Sequence, residues 1–210
     1  MTNNIILNLK DTFNLGANNL TMVVSKVKFE VENTASCIQT HSNHVQYIDK
    51  PGIYKDTDGL ITNIKNNIYL TIQTADCVPI FIIDNRKEMI GLVHSGWKGT
   101  SQGIILSAIS IFSDYGSNLN DVQVYLGPFI KSCCYEIKND VAQFFDDKFI
   151  ICNNNKLFLC LDLKIKSDLL NVGVQNSNIF ISDICTYENK KFCSYRRDKD
   201  TAGRMYSIIG

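Results

Sequence analysis

The sequence predicts an α+β fold with mixed sheets, on three observations. Most apolar runs have strand length and strand spacing. Helical patterns are interspersed among them rather than alternating strictly. No Pro/Gly/Ser-rich linker, internal repeat or low-complexity tract divides the 210 residues. A chain of this length supports one full core, so a single domain over 1–210 is expected.

In chain order, TMVVSKVKFEV (21–31) and IYLTIQT (68–74) read as strands. VPIFIID (78–84) and EMIGLVH (88–94) are nearly continuous apolar runs, as fully buried strands are. GIILSAISIFSDYG (103–116) places Ile104, Ile105, Ala108, Ile109 and Phe112 on one helical face, with Gly116 as terminator. DVQVYLGP (121–128) is a strand closed by Gly127 and Pro128. NDVAQFFDDKF (139–149) reads as a short amphipathic helix starting at Asn139 or Asp140. KLFLCLDLKIKSDLLNVG (156–173) joins a strand to a helix, and NIFISDIC (178–185) is a late strand.

Composition narrows the function. Lys+Arg and Asp+Glu each number 21, so no charge excess favours nucleic acid or an anionic membrane. No apolar run approaches the ~18 residues of a membrane span. MTNNIILNLKDTF lacks the basic start and apolar stretch of a signal peptide, and a cytoplasmic protein is expected. The eight cysteines contain no CxxC pair, which removes zinc-ribbon and thioredoxin readings. Most of them read as small core hydrophobes. P-loop, GxGxxG and GxSxG patterns are absent.

The strongest local inference concerns residues 68–94. If Asp84 pairs with Met89 across the turn Asn85–Glu88, the antiparallel register pairs Pro79 with His94. Cys77 then lies about two residues beyond that pair on the same sheet edge, where strands give way to loops. HSGWKGTSQG follows, with Gly96, Gly99 and Gly103 allowing a tight path into a helix. Its N-terminus, with Thr100 and Ser101, is expected to face an anion. The remaining histidines, His41 and His44, share the loop QTHSNHV. One of them would complete a Cys-His-His set with an open fourth position, the pattern of a catalytic zinc site. Their spacing does not say which.

Asp76 is placed to orient a ligand histidine or to act as a general base, with a turn or capping role as the bland alternative. Three of the four arginines, Arg196, Arg197 and Arg204, fall near the C-terminus and suggest an anion site, or else a solvated turn with Asp198, Lys199 and Asp200. Asp58 reads first as a turn residue. Trp97 is a candidate to stack on a flat ligand ring or to cover the core, and Tyr135 and Glu136 read mainly as packing.

These blocks resemble the YfiH-type family, also called the multicopper polyphenol oxidase or laccase-domain family and later described as purine nucleoside phosphorylases. QTHSNHV, DTDGLITN, TADCVPI, GLVHSGWKGT, LGPFIKSCCYEI and DICTYENKKFCSYRRDKDTAGRM match its six motifs in order. The resemblance implies a four-layer α/β/β/α sandwich and His41, Cys77 and His94 as metal ligands. The implied metal is zinc, with copper in older descriptions. The implied activity is phosphorolysis of adenosine, inosine, guanosine and methylthioadenosine, with adenosine deamination. In this reading Cys77, His94 and Asp76 are catalytic, and Lys98, Arg196 and Arg197 bind substrate and phosphate. Purine nucleosides and phosphate are the expected partners, without nucleic acid or membrane, for a monomer or small homo-oligomer. The fold is also similar to cysteine deamidase toxins, so a metal-independent hydrolase using Cys77 and His94 is one alternative. A copper polyphenol oxidase is another. The chain departs from the family in Ser42 for Gly, Ser95 for Ala and Lys98 for Arg, and it lacks an N-terminal Asn-Arg pair. Lys98 keeps the charge without the bidentate fork.

Overall fold

The computed structural model describes residues 12–14 and 20–210, so most of the N-terminal run that lacks signal-peptide character lies outside them. The strands in order are β1 Thr12–Asn14, β2 Met22–Ser25, β3 Thr34–Ile38, β4 Val45–Tyr47, β5 Gly52–Lys55, β6 Gly59–Asn63, β7 Tyr69–Thr74, β8 Val78–Asp84 and β9 Met89–Ser95. They continue as β10 Gln123–Leu126, β11 Glu136–Ile137, β12 Ile150–Asn153, β13 Lys156–Leu159, β14 Ile179–Ile181 and β15 Met205–Ile209. The helices are α1 Trp97–Ser101, α2 Ile104–Asp114, α3 Asn139–Ala142, α4 Leu161–Asn171 and α5 Tyr195–Asp198.

Two six-stranded mixed sheets, ordered β1-β2-β15-β7-β3-β5 and β14-β10-β8-β9-β6-β4, dominate, and β11-β13-β12 form a small third sheet. The α+β class with mixed sheets is as the sequence predicts. β8 and β9 are buried along their whole length because both faces of their sheet are covered. Phe81, Ile83, Ile90 and Leu92 point into a core shared with Met22, Leu70, Ile72 and Ile209 of the other sheet. Ile80, Ile82, Met89 and Val93 point the other way, onto Ile105, Ile109 and Phe112 of α2 and Ile165 and Leu169 of α4. This packing defines three layers, helix, sheet and sheet, of the expected four.

The hairpin has the expected register: Asp84 pairs with Met89 and Pro79 with His94. α2 buries the predicted face. Its end is a Schellman motif, in which Gly116 takes a left-handed φ of 81° and the N–H groups of Gly116 and Ser117 reach the carbonyls of Ser113 and Phe112. Three elements are shorter than expected. Of the run 178–185 only Ile179–Ile181 forms a strand, and beyond it the Ile184 N–H donates to the Ser182 hydroxyl at 3.2 Å. β2 stops at Ser25, whose hydroxyl accepts the Val27 N–H at 3.0 Å and diverts the backbone from the ladder. α3 stops at Ala142, and after an extended Asp146 the chain makes a separate 3₁₀ turn over Asp147–Phe149. No described helix is long and apolar enough to cross a membrane.

The α2–sheet contact is closed by Phe112, fully buried, over Gly91 of β9. A β-carbon at residue 91 would sit 3.2 Å from its ring and 3.1 Å from Ile61. Phe112→Ala is expected to lower the unfolding free energy by about 3–5 kcal/mol in urea titrations. A loss below about 1 kcal/mol would contradict this packing.

Candidate metal centre

The neighbouring ends of three strands deliver the site. Cys77 directly precedes β8, His94 lies near the end of β9, and Asp58 directly precedes β6 on the other side of β9. The His94 N–H donates to the Asp58 carbonyl at 2.7 Å, which extends the β6–β9 ladder to the site. His41 comes from the loop between β3 and β4, which crosses from one large sheet to the other.

Asp58 has no exposed surface and its carboxylate organises this crossing. It accepts the backbone N–H groups of Thr40 (3.1 Å), His41 (3.0 Å) and Ser42 (2.7 Å), together with the hydroxyls of Thr40 (3.3 Å) and Ser42 (2.8 Å). Consecutive N–H groups converging on one anion form a nest. The nest supports His41 in the left-handed region, at φ 61°, a conformation that costs a non-glycine residue about 1–3 kcal/mol. The remaining contact is with His94 Nδ1 at 2.8 Å. Burial works to raise the Asp58 pKa, but the hydrogen bonds from His94 and Ser42 outweigh it and hold the carboxyl well below its usual range. An ionised carboxylate only accepts, so Nδ1 carries the proton and Nε2 is left to face Cys77 and His41.

The donor atoms of His41, Cys77 and His94 lie within 4.8 Å of one another. The two imidazoles meet edge to face, with centroids 4.8 Å apart. A β-carbon at residue 96 would stand 3.0 Å from both Cys77 Sγ and His41 Cδ2, so Gly96 leaves the set its room. At Gly99 a β-carbon would come within 2.7 Å of the Ser42 carbonyl, so glycine there lets α1 close on the His41 loop. Burial alone would push the Cys77 thiol up; the charge on His94 and hydrogen bonds from both histidines bring it down to about 6. Burial likewise works against His94, but the Cys77 and Asp58 charges raise it to about 9. Cys37, nearby on the cavity wall but without a histidine partner, is pushed up to about 12 by burial and by Asp58. Two imidazoles, one held by a carboxylate, and an acidified thiol are a donor set suited to a borderline-soft divalent cation.

This geometry has relatives. Residues 1–210 match the family model of the multi-copper polyphenol oxidoreductase laccases. The chain belongs to that laccase-domain family. Among curated relatives, a purine nucleoside phosphorylase of Clostridium acetobutylicum is 36% identical over 99% of this chain and 82% of its own length. Purine nucleoside phosphorylase YlmD of Bacillus subtilis is 34% identical over 82% of this chain and 68% of its own. The crystal structure of the Bacillus licheniformis hypothetical protein YfiH superposes with a TM-score of 0.79 at 31% identity, covering 87% of this chain and 76% of that one. YlmD of Geobacillus stearothermophilus gives 0.80 at 29%, covering 85% and 73%.

In this laccase-domain chain a cavity of about 700 Å³ opens over His41, Cys77 and His94. His41, Asp76, Cys77, His94 and Arg196, all expected at the site, line it. Asp76 adopts a left-handed φ of 77°, and its carboxylate has no histidine among its hydrogen-bond partners. Its carboxylate instead accepts the hydroxyls of Thr186 (2.7 Å) and Ser194 (3.1 Å) and the Arg196 N–H (2.6 Å), fastening the C-terminal segment beside Cys77. Orienting a histidine, one of the roles weighed for Asp76, is performed for His94 by Asp58, while Asp76 takes the turn-and-capping role weighed beside it. His44 turns away, with its Nδ1 against the Asp56 carbonyl at 2.8 Å.

Lys98 and Arg197 are not among the cavity residues. The exposed Lys98 lies 5.6 Å from the Trp97 ring centroid. Arg197 donates to the carbonyls of Thr186, Tyr187 and Phe192 and to Asp198, a clamp that occupies its guanidinium. The hydroxyls expected to help hold an anion are also occupied: Thr100 donates to the Gly96 carbonyl and Ser101 to that of Lys98. Lys199, Tyr195 and Gln73 join the cavity, although no motif or spacing in the sequence singles them out. Arg204, marked in the sequence by the arginine cluster and by the last of the six matched blocks, joins them.

In metal-free protein, alkylation of Cys77, followed by peptide mass spectrometry, is expected to accelerate as pH rises through about 6 and then level off. His94→Gln should move that midpoint upward, toward the ordinary thiol value of about 8.5. An unchanged midpoint in the variant would contradict the His94–Cys77 coupling.

Proposed function

We propose that this chain is a zinc-dependent purine nucleoside phosphorylase, acting on adenosine, inosine, guanosine and methylthioadenosine, with adenosine deamination as a side activity. The observation that carries the reading is the His41–Cys77–His94 set at the base of a cavity whose lining includes Arg196, Lys199 and Arg204. The names of the relatives supply the substrate class.

The donor set fits zinc: three nitrogen and sulfur ligands, room secured by Gly96, and a histidine oriented through its far nitrogen. Bound there, zinc supplies Lewis-acid polarisation. The chain's own part is positioning and charge. Arg196 is held by its backbone N–H on Asp76 and by Nη1 on the Glu136 carbonyl, 2.6 Å away, leaving its other donors for phosphate. Lys199 and Arg204 add charge on the same wall. Tyr135 and Trp97 offer aromatic faces to a purine. A phosphate oxygen attacks the anomeric carbon while the glycosidic C–N bond breaks; its electron pair leaves with the purine, which takes up a proton. The products are the free base and the sugar 1-phosphate: ribose 1-phosphate from adenosine, inosine and guanosine, and its 5-methylthio counterpart from methylthioadenosine. The reducing, cytoplasmic setting belongs to the same proposal, as does a monomer or small homo-oligomer.

One observation favours a second reading. Cys77, His94 and Asp58 also form a thiol–imidazole–carboxylate relay, with Cys77 lowered to about 6, which suits a metal-independent cysteine hydrolase. The experiment is to incubate zinc-loaded protein with inosine and phosphate and follow hypoxanthine and ribose 1-phosphate by chromatography. Phosphate-dependent release, lost at least about 100-fold in Cys77→Ser and on chelation, is expected. Zinc-loaded protein that releases no base would overturn the phosphorylase reading. Hydrolysis that survives chelation but not Cys77 alkylation would put the second reading in its place. Metal analysis showing stoichiometric copper instead of zinc would favour the polyphenol oxidase alternative.

A further inference from the structure

Behind the cavity wall the structure gathers a second group of soft ligands. The donor atoms of Cys133, Cys134, Cys185 and Glu188 all lie within 4.8 Å of one another. They come from two turns held side by side. In the first, the Cys134 and Tyr135 N–H groups both reach the Lys131 carbonyl, at 3.0 and 2.9 Å. The second runs from Cys185 to Asn189, closed by the Asn189 N–H on the Cys185 carbonyl at 3.0 Å. An isolated bridge between Phe129 and Cys185 and the Thr186 N–H on the Phe129 carbonyl join the two. The ligand positions are thus fixed by backbone contacts and do not depend on the thiols themselves.

We infer that Cys133, Cys134 and Cys185, with Glu188 as fourth ligand, form a structural site for a thiophilic divalent cation of the zinc class, separate from the His41–Cys77–His94 set. Three sulfurs and a carboxylate are a closed four-ligand set, which distinguishes it from the open set in the cavity. Zn–S bonds of ~2.3 Å in a tetrahedron place sulfurs about 3.8 Å apart, and Cys133 Sγ lies 3.5 Å from Cys134 Sγ. The Lys131 N–H points at Cys185 Sγ, 3.5 Å away, a supporting donor of the kind that stabilises a ligating thiolate. Binding releases the three thiol protons to solvent and leaves a thiolate on each sulfur. A bond between Cys133 and Cys134 is the poorer use of these sulfurs. Adjacent Cα atoms stand about 3.8 Å apart, below the usual disulfide range of roughly 4.4–6.8 Å.

The location gives the site a task. Tyr135, next to Cys134, lines the cavity, and Thr186, next to Cys185, holds the Asp76 carboxylate. A cation joining the two turns locks both supports of the cavity wall together.

Cobalt(II) titrated into the reduced, full-length Cys77→Ser chain tests this independently of the proposed activity, because the first ligand set is then broken. The expected result is one equivalent bound, with tetrahedral d–d bands and a thiolate charge-transfer band roughly three times that of a one-thiolate site. Zinc should bleach these bands and raise the melting temperature of the same chain. Adding Cys133→Ser, an exposed position, should cut the charge-transfer band by about a third or abolish it. A folded, reduced Cys77→Ser chain that gives no thiolate band would overturn the inference. So would a disulfide among these three cysteines in protein purified under reducing conditions.

Discussion

A single buried carboxylate, Asp58, ties the candidate site to the fold. Burying an ionised group without partners costs several kcal/mol, so its position is tolerable only where donors converge. Here six hydrogen bonds do so, five from residues 40–42 and one from His94. The same contacts hold His41 in its left-handed conformation, fix the proton of His94 on Nδ1, and bind a loop between the two large sheets to the end of the central one. Removing the carboxylate would release all three at once.

A second anchor works in parallel. Asp76, also in a left-handed conformation, precedes Cys77 and receives donors from Thr186, Ser194 and Arg196, more than a hundred residues later. Thus one carboxylate arranges the ligands and another brings the cationic C-terminal segment over them. Cys133, Cys134 and Cys185 lie where that segment meets the 129–135 loop. The candidate site is therefore built from strand ends and loops, with rigidity drawn from the buried β8–β9 hairpin beneath.

Much of this is legible in the sequence. Two apolar runs of strand length and the four-residue turn between them set the hairpin register, and that register alone brings Cys77 and His94 to one sheet edge. The helical spacing from Ile104 to Phe112 is equally plain. Periodicity carries such local features because they depend on burial. The roles of the two aspartates are not legible, since each depends on donors distant in sequence: Asp58 on residues 40–42 and 94, Asp76 on 186, 194 and 196. Arg197 looks like an anion ligand because clustering reports composition and not direction, and the carbonyls that occupy it come together only in the folded chain. Lys98 and Lys199 are alike as charges; the path of the backbone decides which of them lines the cavity. The Cys133–Cys134–Cys185 group stays hidden because a gap of about fifty residues matches no metal-ligand spacing.

The central claim is that Asp58 organises the ligand set. It is tested most directly by the zinc affinity of that set, measured by chelator competition in two chains that both carry Cys133→Ser, one retaining Asp58 and one with Asp58→Asn. Asparagine keeps the size but loses the charge that fixes the His94 proton and satisfies the nest. Binding weaker by about 10–100-fold in Asp58→Asn, with the fold retained by circular dichroism, is the predicted result. Equal affinity in the two chains would contradict the account.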